Sequence, residues 1–295
     1  MQRAFILGMM IVSILLISCG GGGPKVQMPA EGIRLSYVPA VNKTNDYRIM
    51  VQKYIQASEQ GNSINQLIKG DVKLSISIVS ADNNGNAKLT YKFNDVAVGQ
   101  FVNNQIQSSE DIDEMKELEL SITVDSAGTR IDDDDFDMDE EMQKAAKAIS
   151  PTEFILEFPM PDTNVTFNYT WHDEIDTVRD EENSKITQKV VTDYKVLDFV
   201  MLDSARVIVC QYTGTYNVTQ KGVTEYEGKE YDVDMTMTGD IKGKVSFDID
   251  NGRIVKYEYN KMIDVKGKQK DMDTGEEQPI VYYNQITIDA RLESK

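Results

Sequence analysis

Histidine is almost missing from this chain. His172 is its single copy among 295 residues, so no site of clustered imidazoles can form. Cysteine is nearly as scarce, with only Cys19 and Cys210. If Cys19 is chemically occupied, Cys210 has no partner and an internal disulfide is excluded. Cys210 ends the apolar run Val207-Ile208-Val209, which marks it as an inert buried thiol. Positive charge is also short: 31 lysines and arginines face 49 acids, a formal net charge of -18. That balance excludes nucleic acid and anionic lipid as partners held by surface charge. No Gly-x-Ser-x-Gly elbow and no phosphate loop occurs. No nucleophile is therefore tied by motif to His172, which reads as a solvent-facing strand-end residue after Trp171. The chain reads as a non-enzyme with no catalytic residue and no cofactor.

What is present starts at the N-terminus. Met1 to Arg3 is a short basic head, Ala4 to Ile17 is apolar except for Gly8 and Ser13, and Leu16-Ile17-Ser18-Cys19 is followed by Gly20 to Gly23. A basic head, an apolar core of this length and small residues at the exit describe a secretory signal peptide. The stretch falls short of the roughly 20 apolar residues of a transmembrane helix. The four residues ending in cysteine resemble the lipobox cut by bacterial lipoprotein signal peptidase. That resemblance implies removal of residues 1–18 and lipid, palmitate included, on Cys19. Segment 1–18 contains Arg3 and no acid, so the mature charge becomes -19. Membrane contact then comes from acyl chains, each buried methylene contributing about 0.8 kcal/mol. Gly20 after the cysteine favours the outer membrane by analogy with known sorting. The absence of an acidic run there favours the periplasmic side. Residues 19–30 read as a flexible tether.

Beyond the tether, period-two alternation dominates. Leu74, Ile76 and Ile78 alternate with polar neighbours, as do Leu118, Leu120, Ile122 and Val124, and Ile286, Ile288, Ala290 and Leu292. Such strands have one buried and one wet face and favour antiparallel pairing. The longest run covers 231–249, and Asp250-Asn251-Gly252 turns it into a return strand through Val265. Asp137 to Ile149 places Met142, Ala145, Ala146 and Ile149 on one helical stripe, with Asp137 and Glu140 as a capping box and Pro151 as the stop. A shorter helix or a loop is expected over 103–115. The expected fold is mainly β, with long curved antiparallel strands, two similar halves and a helix near 137–149. The domain at 31–295 then divides into halves 31–136 and 151–295 joined by that helix. The duplication rests on a strand–turn–strand order repeated at an offset of 122, and on the pairs Tyr47/Trp171 and Gly128/Gly252, each 124 apart.

Two places invite a ligand. Met235, Met237, Gly239, Ile241, Gly243, Val245 and Phe247 share one side of the long strand. There methionine adapts to irregular apolar shapes and glycine allows close approach. They mark a candidate apolar groove, although the same side chains also suit a plain core. Asp271, Asp273, Glu276 and Glu277 form an acidic cluster of the kind that attracts calcium. Its glycine comes one position too early for an EF-hand, so a solvated acidic loop is the simpler reading and no metal is assigned. The acidic run 132–141 is treated alike.

Several features together resemble an uncharacterised family of β-rich lipoproteins of Bacteroidetes-like bacteria. They are the lipobox, an early strand at Tyr37, Phe158-Pro159 ahead of Val165 to Trp171, Tyr194-Lys195-Val196, and Gly239 to Phe247. A weaker similarity, in long antiparallel strands with an interposed helix, is to LolA and LolB lipoprotein carriers. The resemblance supplies no catalytic residue, and the preferred reading is a non-enzymatic lipoprotein of the cell envelope, a binding or structural module whose partner is an apolar ligand or an envelope protein. A carrier of acyl chains in a concave apolar groove is the sharper alternative. A hydrolase using acids near Trp171 or in 132–141 is the remaining one.

Overall fold

Among the described residues of the computed structural model of this chain, eleven antiparallel strands form one sheet. The structure describes residues 24–37, 43–59, 62–82, 86–103, 105–111, 116, 118–125, 127–128, 131, 156, 158–180, 183–202, 204–226 and 229–293. The strands are β1 (Thr44–Glu59), β2 (Asn62–Ala81), β3 (Ala87–Val102), β4 (Gln105–Asp111), β5 (Glu119–Val124), β6 (Thr170–Asp180), β7 (Ser184–Leu202), β8 (Ala205–Tyr226), β9 (Lys229–Asp248), β10 (Arg253–Asp271) and β11 (Glu277–Leu292). Their order is β4-β3-β2-β1-β11-β10-β9-β8-β7-β6, with β5 also pairing β3.

Among the described residues the fold is all-β, which corrects the expected mainly β class with a helix. No helix occurs among the described residues, and residues 137–149 lie outside them. Where the sheet's inner face is covered, extended chain does the covering. Ile33 and Val165 form an isolated bridge, as do Lys25 and Val200. Leu35, Leu156, Phe158, Met160 and Val165 are all buried there. Within 103–115, the expected helix or loop is replaced over its middle by strand β4, which pairs with β3 through Ala97↔Asp111 to Val102↔Gln105.

Two successive meanders run in the same direction along the sheet. In the first, Tyr47 faces Leu74 across β1 and β2. In the second, Trp171 faces Tyr194 across β6 and β7. The third strands, β3 and β8, follow in both. Then Ala87 pairs with Val124 of β5, and Val207 pairs with Asp248 of β9. The second half has one uninterrupted strand, β9, where the first has β4 and β5 on different stretches of β3. The long hairpin expected at 231–249 and 253–265 is present. It pairs Asp248 with Arg253 and continues to Tyr231 and Asp271, with a register shift at Ile254/Lys256. Gly252, at φ +59°, closes its turn in the left-handed region. There a residue without Cβ is least strained.

β11 joins the meanders by pairing with β1. Tyr47, Ile49 and Val51 of β1 define the inner face, together with Ala290, Ile288 and Ile286 of β11. The segment after β5 and the segment before β6 meet. Met160 N–H donates to the Ala127 carbonyl after β5 at 2.8 Å, and Phe158 packs against Trp171 of β6 and Phe247 of β9. Tyr37 meets Phe247 edge-on, with ring centroids 5.6 Å apart. Phe93, Phe158, Val196, Val245 and Phe247 have no exposed surface. Each such side chain contributes about 1.5–3 kcal/mol.

Candidate functional site

The hairpin β9–β10 organises both faces of the sheet. Register places Trp171, Tyr194, Tyr212, Gly243 and Tyr259 in one inner row across β6 to β10. The rings follow one another along it: Trp171 stacks on Tyr194 at 5.1 Å, Tyr194 meets Tyr212 tilted at 5.5 Å, and Tyr212 stacks on Tyr257 at 6.1 Å. Tyr257 then stacks on Tyr259 at 6.2 Å. The gap in the row is Gly243, and Tyr212 crosses it to donate its hydroxyl to the Glu258 carbonyl at 2.7 Å. Burial pushes the Tyr212 phenol far above its ordinary range, and the neighbouring Tyr257 adds to it. Trp171 Nε1 donates to the Pro159 carbonyl at 3.1 Å. These polar tips are occupied by the fold itself, as buried polar groups require.

The seven groove candidates divide along β9. Val245 and Phe247 sit in the packed core, and Ile241 is buried. Met235 and Met237 are half-buried farther out, beside Gly267 and Val265. Gly239 lies opposite Tyr216, and the Lys261 ammonium stands 3.5 Å from the centre of that ring. A Cβ at Gly239 would run into the Met262 carbonyl, and one at Gly243 into the Glu258 carbonyl and the Tyr212 ring. Gly239 thus answers to the close backbone of β10, and Gly243 to that strand and the crossing Tyr212 ring.

The four acidic candidates lie at and beyond the β10–β11 turn. Asp271 Oδ1 accepts the backbone N–H groups of Asp273 at 2.9 Å and Thr274 at 2.8 Å. Led by the Thr274 N–H bond, these hold its carboxyl below the usual range. Glu277 pairs with Lys268 at 3.3 Å, and Glu276 accepts from Gln278 at 3.4 Å. Among the described residues no group of three or more His, Cys, Asp and Glu side chains is placed to hold a metal. Cys19 and the acidic run 132–141 lie outside the described residues. His172 is exposed on edge strand β6. Burial raises the half-buried Asp173 carboxyl, with the nearby His172 opposing that shift. Cys210 is fully buried, and burial alone drives its thiol well above the ordinary value.

A feature that alternation alone did not reveal lies on the outer face of the same four central strands. Gln211, Lys244, Glu258 and Asp289 form one cross-strand row, and Thr213, Lys242, Asn260 and Thr287 form the next. Between these rims lies an open trough of about 460 Å³. Its floor is the row Tyr212, Gly243, Tyr259 and Ile288, which lies between the two rims in register. Asn260 Nδ2 donates to Thr287 Oγ1 at 3.0 Å, while the buried Asn260 Oδ1 has no partner. Glu258 is paired with Lys256, and Asp289 holds Arg291 through two bonds of 2.9 Å. The only sequence signal for this trough was the polar phase of β8 to β11, which every half-wet strand shares.

No family model and no curated protein matches the chain. Among solved structures, it is similar to Pseudomonas aeruginosa OccK5 (OpdH) at 5% identity, covering 87% of this chain and 100% of that chain, with a TM-score of 0.27. Acinetobacter baumannii OccAB2 follows at 7% identity, 87% and 100% coverage and a TM-score of 0.26. An outer membrane channel from Pseudomonas putida F1 gives 8% identity, 91% and 100% coverage and a TM-score of 0.21. Likeness at these scores carries no argument about architecture or activity.

Proposed function

We propose that this chain is a non-enzymatic lipoprotein of the cell envelope, held in the membrane by lipid on Cys19 and acting as a binding or structural module. The observation that carries the reading is the order of the first 23 residues: basic head, apolar core, Leu16-Ile17-Ser18-Cys19 and four glycines. The body is consistent with a short leash. Pro24 already accepts the Met201 N–H at 3.0 Å, and Val26 donates to the Phe199 carbonyl at 3.0 Å. At up to ~3.6 Å per residue, a lipid on Cys19 would hold the β7–β8 turn within about 20 Å of the bilayer surface. Metabolic labelling with an alkyne fatty acid in the natural host, followed by intact-protein mass spectrometry, tests this. A diacyl- or triacyl-Cys19 mass is expected, with label and membrane retention lost in Cys19→Ser. An uncut and unlipidated N-terminus would overturn it.

The carrier reading draws on one observation, the half-buried Met235 and Met237 on the inner face beyond the aromatic row. An acyl chain would lie against them, because Val245 and Phe247 are already packed. Native mass spectrometry of protein extracted from its own membrane would then retain a lipid, and an empty protein would remove this reading.

A further inference from the structure

We propose that the outer trough across β8, β9, β10 and β11 binds a short acidic saccharide. The site is independent of the lipid anchor and on the opposite face of the sheet from the apolar groove. Its shape is elongated. Four strands at ~4.8 Å spacing make it about 14 Å long, and its two rims stand two residues apart, about 7 Å.

Charge selects an acid. Lys244 stands opposite Glu258, and Lys242 opposite Asn260. Glu258 and Asp289 are committed to Lys256 and Arg291. Lys242 and Lys244 take part in no salt bridge among the described residues. The trough thus offers two uncommitted ammonium groups in a chain of net charge -18. Between surface charges of opposite sign the attraction is modest, about 0.2–1 kcal/mol per pair and screened by salt, so charge alone selects weakly.

The remaining groups select hydroxyls. Gln211, Thr213, Asn260 and Thr287 can each both donate and accept, which matches a hydroxyl, itself donor and acceptor. Glu258 and Asp289, already paired with Lys256 and Arg291, add acceptors for ligand hydroxyls. Asn260, bonded through Nδ2 to Thr287 Oγ1 at 3.0 Å, fixes the polar rim that a sugar would meet.

The test uses the mature lipidated protein in phospholipid nanodiscs, titrated with trigalacturonate, mannose 6-phosphate, maltotriose and tetraglutamate, with binding read by calorimetry. At least one acidic sugar should bind, and the tighter of the two assigns the acid as carboxylate or phosphate. The Lys242→Glu/Lys244→Glu double variant should lose at least tenfold in affinity, and Lys242→Arg/Lys244→Arg should keep it. Lys270→Glu, a charge reversal on the same β10 strand away from the trough, should change nothing. Unchanged melting temperatures establish that each variant is folded. The proposal is overturned if neither acidic sugar binds, if maltotriose or tetraglutamate binds as tightly, or if the double charge reversal leaves affinity intact. Loss of lipidation on Cys19 with trough binding retained would remove the envelope-lipoprotein reading alone.

Discussion

Tyr212 reaches over Gly243 and donates to the Glu258 carbonyl, so one side chain from β8 spans β9 and fastens to β10. The contact explains a glycine in the middle of a long strand, where its backbone entropy is normally a cost. It also fixes the floor of the outer trough, because Gly243 lies between the two rims.

Gly243→Ala is expected to be strongly destabilising. The added Cβ would fall on the Glu258 carbonyl oxygen and the Tyr212 ring. Overpacking of this kind costs about 1–3 kcal/mol, sometimes more. Chemical denaturation should show a lower midpoint. Tyr212→Phe, which removes only the hydroxyl, should lose about 1 kcal/mol. A Gly243→Ala protein as stable as the parent would show that the strand crossing is not tight.

Asp248 is expected to be the most sensitive acid in the fold. It is fully buried. It accepts from the Asp250 and Asn251 N–H groups at 3.0 and 3.1 Å, from Asn251 Nδ2 at 2.7 Å and from Arg253 Nε at 3.4 Å. Arg253 in turn reaches Asn45 Oδ1 on β1 at 2.7 Å. Asp248→Ala leaves a guanidinium and several donors unanswered, a class of change that costs about 3–5 kcal/mol. Thermal melting should show a large drop, and an Asp248→Ala/Arg253→Met double variant should recover part of it.

Stability should decline in acid. Hydrogen bonds from Arg48, Arg206 and Arg291 hold Asp71, Asp250 and Asp289 below the usual carboxylate range. Depressed folded-state values mean that the stabilisation is complete above the unfolded value of about 3.9. It is lost as pH falls through the lower folded values. Burial raises Asp173, so Asp173 acts in the opposite sense and protonates first. Urea midpoints should therefore hold near neutrality and fall below about pH 4. Changing Asp71, Asp250 and Asp289 to Asn should flatten that fall.

Cys210 should be silent toward thiol reagents in the folded protein. It is buried with no exposed surface, and its thiolate is disfavoured by the same burial. N-ethylmaleimide should label it only in denaturant. Fast labelling of the native protein would require an opening of β8 that its register does not suggest.

Much of the strand pattern was legible locally. Alternation at Leu74, Ile76 and Ile78, or at Ile286, Ile288 and Ala290, follows from a pleat with one dry face, and Asp250-Asn251-Gly252 supplies a turn by its own backbone preferences. The shared order of the two meanders was likewise visible in the Tyr47/Trp171 spacing. The helix expected at 137–149 lies outside the described residues; among those described, extended chain around Leu35 and Phe158 packs on the core.

Tertiary structure alone decided the rest. That β11 returns to β1 depends on residues more than two hundred positions apart meeting in register, as Tyr47 and Leu292 do. Local propensity carries no information about that partner. It also decided that Gly243 lies beneath Tyr212, and that Lys242, Lys244, Asn260 and Thr287 share one trough. Each strand presents its polar side chains singly. Only the registers of β8, β9, β10 and β11 bring them side by side, because a shift of one residue in any pairing would turn them to the other face.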